Sequence, residues 1–173
     1  MDIFVEQIVK KPSGTKEMLL KVLIGIAAGL ISAVGVLFLG VYAIVIIFGI
    51  FYGAYWLMTG LDCEYEYIVT NGEIDVDKIV AKRKRSRLIT IKASTFESYG
   101  EYKDAPKLEN GVTVVKADGI GDYPLYYADF KHNSIGNARL IFTPNDRVLE
   151  ALKPFLPRAI RVSMNKKWLT LLF

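Results

Sequence analysis

The sequence predicts a membrane α-hairpin followed by a mainly β domain that a C-terminal helix closes, and three observations carry that reading. Residues 22–61 contain no Asp, Glu, Lys, Arg or His. Beyond Asp62 the apolar run gives way to alternating apolar and polar residues on either side of Asn71-Gly72. After several more strand-like runs, Thr143-Pro144 opens one amphipathic helical segment. The implied divisions are 1–17, an N-terminal amphipathic segment; 18–61, a two-span transmembrane hairpin; 62–161, a β barrel domain; and 162–173, a C-terminal tail.

At the N-terminus, Val5, Ile8 and Val9 fall with Met1 or Phe4 on one side of a short helix, which Pro12-Ser13-Gly14 would end. A membrane-surface helix, a partner-binding segment and a frayed end all fit this pattern. The apolar run that follows is too long to be one span. A helix rises ~1.5 Å per residue and a bilayer core is ~30 Å thick, so residues 22–61 would make a single helix about twice the needed length. Gly35 and Gly40 flank its midpoint, where a reversing chain uses glycine's backbone freedom, and the spans fall at 20–37 and 41–58.

Orientation follows from the flanks. Lys10, Lys11, Lys16 and Lys21 precede the first span, and Lys78, Lys82, Arg83, Lys84, Arg85 and Arg87 follow the second. The turn between the spans carries no charge, so both termini are expected on the cytoplasmic side of the membrane. Tyr52, Tyr55 and Trp56 gather where the second span reaches the headgroups. Gly25 with Gly29, continued by Ser32, and Gly49 with Gly53, give each span a small-residue ridge that lets helices approach, whether within one chain or between copies.

Past the membrane, Tyr65, Tyr67 and Val69 alternate with charged residues up to Asn71-Gly72, and Ile74 and Val76 alternate after it. Asn-Gly favours the two-residue turn that matches strand twist, so both apolar sets fall on one face. The same register sets Glu66 opposite Asp77, a like-charge pair that is unfavourable unless a basic side chain or a cation lies between. Further strands are expected over 87–92, 95–102, 112–117, 124–131 and 138–143, giving seven in all. Thr143 reads as a helix N-cap with Pro144 at the first helical position, and Val148, Leu149, Leu152, Phe155 and Leu156 share the buried face.

Composition excludes several chemistries. With 173 residues, one cysteine (Cys63) and one histidine (His132), the chain holds no intramolecular disulfide, no cysteine-based or multi-histidine metal site, and no G-x-S-x-G nucleophile pattern. Within the spans there are no ionisable groups except tyrosines, so no ion path is legible. No catalytic, cofactor or metal residue is assigned.

Seven short strands closed by one helix is the order of a pleckstrin-homology-like barrel. The run Glu64-Tyr-Glu-Tyr-Ile-Val-Thr-Asn-Gly-Glu-Ile-Asp-Val-Asp-Lys-Ile, then Lys82-Arg-Lys-Arg-Ser-Arg-Leu, the ending Leu152-Lys-Pro-Phe-Leu-Pro-Arg158 and the opening Met1-Asp-Ile-Phe-Val-Glu-Gln resemble a family of small bacterial membrane proteins of unknown function. The resemblance covers nearly the whole chain up to Val162. It implies a bacterial pleckstrin-homology-like domain tethered behind paired membrane helices in the plasma membrane, and supplies no catalytic residues. In eukaryotic relatives of this fold the first hairpin loop carries basic residues for inositol phosphates; here it is Thr70-Asn71-Gly72-Glu73, so that recognition is not inherited. The basic residues stand one turn later, at Lys82, Arg83, Lys84, Arg85 and Arg87, where they would meet anionic lipid or an acidic partner, or serve only as a topology signal. A sequence pI near 9.0 also suits nucleic acid, against which membrane tethering argues. The expected function is a non-enzymatic interaction module facing the bilayer, a protein partner or a second copy. The alternatives are a small homo-oligomeric channel and an enzyme with an unfamiliar site.

Overall fold

The computed structural model describes residues 2–170, with side chains described up to residue 164. The chain divides into two compact units, one formed by residues 1–11, 64–79 and 85–173, the other by residues 12–63 and 80–84.

In the first unit the leading strand is β1 (Phe4–Lys10). A helix was expected here, but the segment is extended and pairs antiparallel with β2 (Cys63–Thr70), from Phe4 opposite Thr70 to Lys10 opposite Glu64. The physical reason lies in Gln7. It sits among the inward residues with Val9, and its side chain is buried because its amide donates to the Thr143 carbonyl (3.0 Å) while its carbonyl accepts from the Asn145 backbone (2.7 Å). An inward glutamine erases the apolar alternation that would have marked a strand, leaving Val5, Ile8 and Val9 to mimic a helical face. In sequence, the apolar run is thus an insertion between two neighbouring strands.

β2 turns through Asn71 and Gly72 into β3 (Glu73–Val80), and β4 (Lys84–Lys92) completes a sheet of order β1-β2-β3-β4. Asn71 and Gly72 both have positive φ (49° and 84°), the geometry that Asn-Gly favours in a two-residue hairpin loop. Tyr67, Val69, Ile74 and Val76 are fully buried, as the alternation predicts.

The second sheet contains β5 (Phe96–Glu101), β6 (Thr113–Ala117), β7 (Tyr126–His132) and β8 (Gly136–Phe142), in the order β5-β7-β8-β6. β6 runs parallel to β8; β7 is antiparallel to both β5 and β8. The seven strands expected after residue 62 are present, but with β1 they form two four-stranded sheets, where one closed seven-stranded barrel was expected.

The helix α3 (Asp146–Leu152) starts two residues later than the Thr143 cap predicts. Asn145 is the cap, its side chain accepting the Val148 amide at 2.9 Å, because the Thr143 hydroxyl is already engaged with Gly119. Val148, Leu152 and Leu156 are buried, with Leu149 and Phe155 half-buried. Phe155 packs onto the Asn71-Gly72 turn so closely that a Cβ on Gly72 would lie 2.6 Å from its Cδ1. Residues 162–170, expected as part of a tail, continue the helix α4 (Arg158–Thr170); residues 171–173 lie outside the described part.

The second unit holds two apolar helices, α1 (Thr15–Leu39) and α2 (Ala43–Gly60), joined by a 3-10 turn at Gly40–Tyr42. The stretch Thr15–Gly60 is long and apolar enough to cross a membrane. Gly40 has a φ of 54°, which ends α1 at the point where the sequence places the turn. Lys21 lies 2.7 Å from Asp62, and a Cβ on Gly25 would lie 3.6 Å from the Met58 methyl. Ala28, Ser32, Ala43 and Ala54 are buried, whereas Leu37, Phe38 and Val41 are more than four-fifths exposed.

Candidate functional site

The turn between β3 and β4 has unusual geometry. Ala81 and Lys82 both have positive φ (57° and 54°), the left-handed region that Asn and Gly occupy at low cost and other residues do not. It is held by the Ala81 amide donating to the Asp62 carbonyl (2.9 Å) and the Arg83 amide donating to the Val80 carbonyl (3.1 Å). This turn sets Lys82, Arg83 and Lys84 in solvent. Neither lysine has a carboxylate partner among the described residues.

Arg83 is fixed in place. Its guanidinium lies over the Trp56 ring at 5.1 Å from the centroid, and it donates to the Thr59 hydroxyl at 3.0 Å. A cation over an indole face is attracted by the ring's electron-rich surface, so the contact orients Arg83 while it keeps its charge. Tyr52, Tyr55, Trp56, Thr59, Asp62, Ala81, Lys82 and Arg83 line an open groove of about 540 Å³. The Asp62 charge is matched by Lys21.

Arg85 and Arg87, the other two members of the basic run, are occupied elsewhere. Arg85 donates to Glu66 at 2.8 Å, and Arg87 bridges Asp77 (2.5 Å) and Asp75 (2.7 Å). Glu66 and Asp77 are both buried, so the like-charge pair foreseen on β2 and β3 is stabilised by basic side chains from β4. Hydrogen bonding to Asp77, ahead of the attraction of Asp75, raises the Arg87 guanidinium still further above its ordinary value. Burial raises the Glu66 carboxyl above its ordinary 4.5, a hydrogen bond with Glu6 adds to this, and Arg85 opposes it.

The glycine ridges are only partly brought together. Gly25 has a neighbour in Met58, but a Cβ on Gly29, Gly49 or Gly53 would meet open space. The buried small residues include Ala28, Ser32 and Ala54, of which Ser32 continues the ridge of Gly25 and Gly29. His132 accepts the Ser134 amide in the turn before β8, and Cys63 is buried. A smaller cleft of about 170 Å³ lies beside Arg139, whose guanidinium is clasped by both oxygens of Asp129 and by the Pro106 carbonyl.

Sequence reasoning found the basic run and the aromatic belt separately. It missed that Trp56 and Thr59 position Arg83, a contact that periodicity cannot register because it joins a helix to a turn distant in sequence.

Two mostly antiparallel sheets with a helix against the first hairpin fit a pleckstrin-homology-like domain. Residues 1–162 match the family described as Bacterial PH-like domain (DUF6106), and the chain belongs to that family. No curated protein and no solved structure matches the chain.

Proposed function

We propose that this protein is a membrane-anchored interaction module without enzymatic activity, in which the helices α1 and α2 form a two-span hairpin in the bacterial plasma membrane. Both termini are then cytoplasmic, and the PH-like domain offers its surface to protein partners or anionic lipid headgroups. The observation that carries this reading is the register of β1 with β2. Lys10 and Glu64 are paired residues of one sheet, so they lie on one side of any bilayer. A segment between them that enters the membrane must therefore cross it an even number of times. The helical break at Gly40 and the ion pair between Lys21 and Asp62 support two crossings. So does the apolar surface left exposed on α1 and α2, which is far more than a soluble monomer leaves in water. PH-like domains are generally non-enzymatic, which supports the interaction role.

The test is the side of the membrane on which two engineered cysteines react. With Cys63→Ser as background, Lys11→Cys and Lys103→Cys should both be labelled from the cytoplasmic face, and the protein should stay in the membrane through alkaline carbonate extraction. Labelling from opposite faces, or release by carbonate, would refute the hairpin.

A further inference from the structure

We infer that the groove beside Trp56 is a site for the phosphate headgroup of an anionic phospholipid, with Lys82 and Arg83 as its phosphate ligands. This rests on the membrane-anchored reading above. The groove's volume, about 540 Å³, lies within the ~300–1,000 Å³ of sites that hold small ligands. Its charges favour an anion. Lys21, Lys82 and Arg83 give three positive charges against the single negative charge of Asp62, a net of +2. Arg83 has five N–H donors; one reaches Thr59 and one the Ala81 carbonyl, which leaves three for a ligand. A planar guanidinium whose position is already set by Trp56 loses little freedom on binding phosphate.

The backbone supports the same inference. Two consecutive left-handed residues without a glycine are disfavoured, yet this turn puts Lys82 at its corner rather than the Asn-Gly found one turn earlier. Strain of this kind gathers at binding and catalytic sites. The wall of Tyr52, Tyr55 and Trp56 is amphipathic, as the boundary between headgroup and acyl chain requires. That wall favours a lipid over a free phosphate.

The experiment uses the full-length protein, reconstituted into nanodiscs of mixed phosphatidylglycerol and phosphatidylcholine, then released and weighed with its bound lipid by native mass spectrometry. Wild type should retain phosphatidylglycerol in preference, and Lys82→Ala with Arg83→Ala should reduce that preference by about 30-fold, which is ~1 kcal/mol for each of two charges. Lys131→Ala, at an exposed lysine of β7, should retain it. The charge-conserving Lys82→Arg variant should also retain it, and aromatic circular dichroism will show whether the double variant is folded. An unchanged preference in the folded double variant overturns the inference. So does displacement of the lipid by millimolar glycerol phosphate, which would make the ligand a free phosphate. Wild type that resists carbonate but prefers neither lipid refutes this site alone, whereas wild type released by carbonate refutes the anchor itself.

Discussion

Replacing Gly72 by alanine tests the contact that joins the first hairpin to the C-terminal segment. Two costs arise. Gly72 has a φ of 84°, a region in which a residue with a Cβ is disfavoured by ~1–2 kcal/mol. The new methyl would also overlap the Phe155 ring, 2.6 Å from its Cδ1, so Phe155 must leave the turn. Complete loss of a buried phenylalanine costs ~3–5 kcal/mol, and this ring is half-buried, so about 2 kcal/mol is appropriate. Gly72→Ala should then destabilise the domain by about 3–4 kcal/mol, a large part of the ~5–15 kcal/mol that holds a domain together. The two costs separate in a double-mutant cycle. In a Phe155→Ala background, Gly72→Ala should cost only the ~1–2 kcal/mol of backbone strain, a coupling of about 2 kcal/mol. The assay is chemical denaturation of the full-length protein in mild detergent, followed by the aromatic circular dichroism of the domain. A Gly72→Ala cost that is the same with and without Phe155 would refute the packing of that ring on the turn.

Leu152→Ala, at a fully buried position of α3, should cost ~2–5 kcal/mol in the same assay; a loss below about half a kcal/mol would put this helix face at the surface. Gln7→Ala removes a buried side chain that satisfies the Thr143 carbonyl and the Asn145 amide, and should cost about 2–6 kcal/mol at ~1–3 kcal/mol for each unsatisfied group. Hydrogen exchange at the start of α3 should speed up with it, and unchanged exchange there would show that β1 does not brace that helix. Glu66→Gln reads the raised carboxyl. Because the folded-state value lies above the ordinary 4.5, folding favours the protonated form, so this stabilisation is complete below about pH 4.5 and is lost as the pH rises through the raised value. Wild type should therefore lose stability relative to Glu66→Gln on going from pH 4.5 to 7, and parallel stability curves would contradict the assignment.

The hairpin of β2 and β3 was legible because local chemistry and periodicity agree there: Asn71-Gly72 suits positive φ, and the residues two apart on either side share a face. β1 was not, since its partner lies beyond the apolar run and its polar Gln7 faces inward. The parallel pairing of β6 with β8 leaves no local trace either, because register between distant strands depends on the whole core. The basic run showed where positive charge is concentrated but could not assign its members. Its alternation along β4 divides them: Arg85 and Arg87 share the face that carries Glu66 and Asp77, while Lys82 and Arg83 belong to the turn. The Glu66 and Asp77 opposition was itself the signal that some of these cations are internal counter-ions.

Insertion of the apolar helices between β1 and β2 also sets an order on synthesis. Phe4 must wait for Thr70, its partner in the sheet, which comes 66 positions later in the chain. At ~5–20 residues per second, that delay is roughly 3–13 s, during which α1 and α2 are synthesised before the strand that pairs with β1. On the proposed two-span hairpin, membrane insertion would thus precede sheet closure. A fragment starting at residue 62 omits the strand that covers β2, so a soluble version of this domain must carry residues 2–11 joined directly to β2.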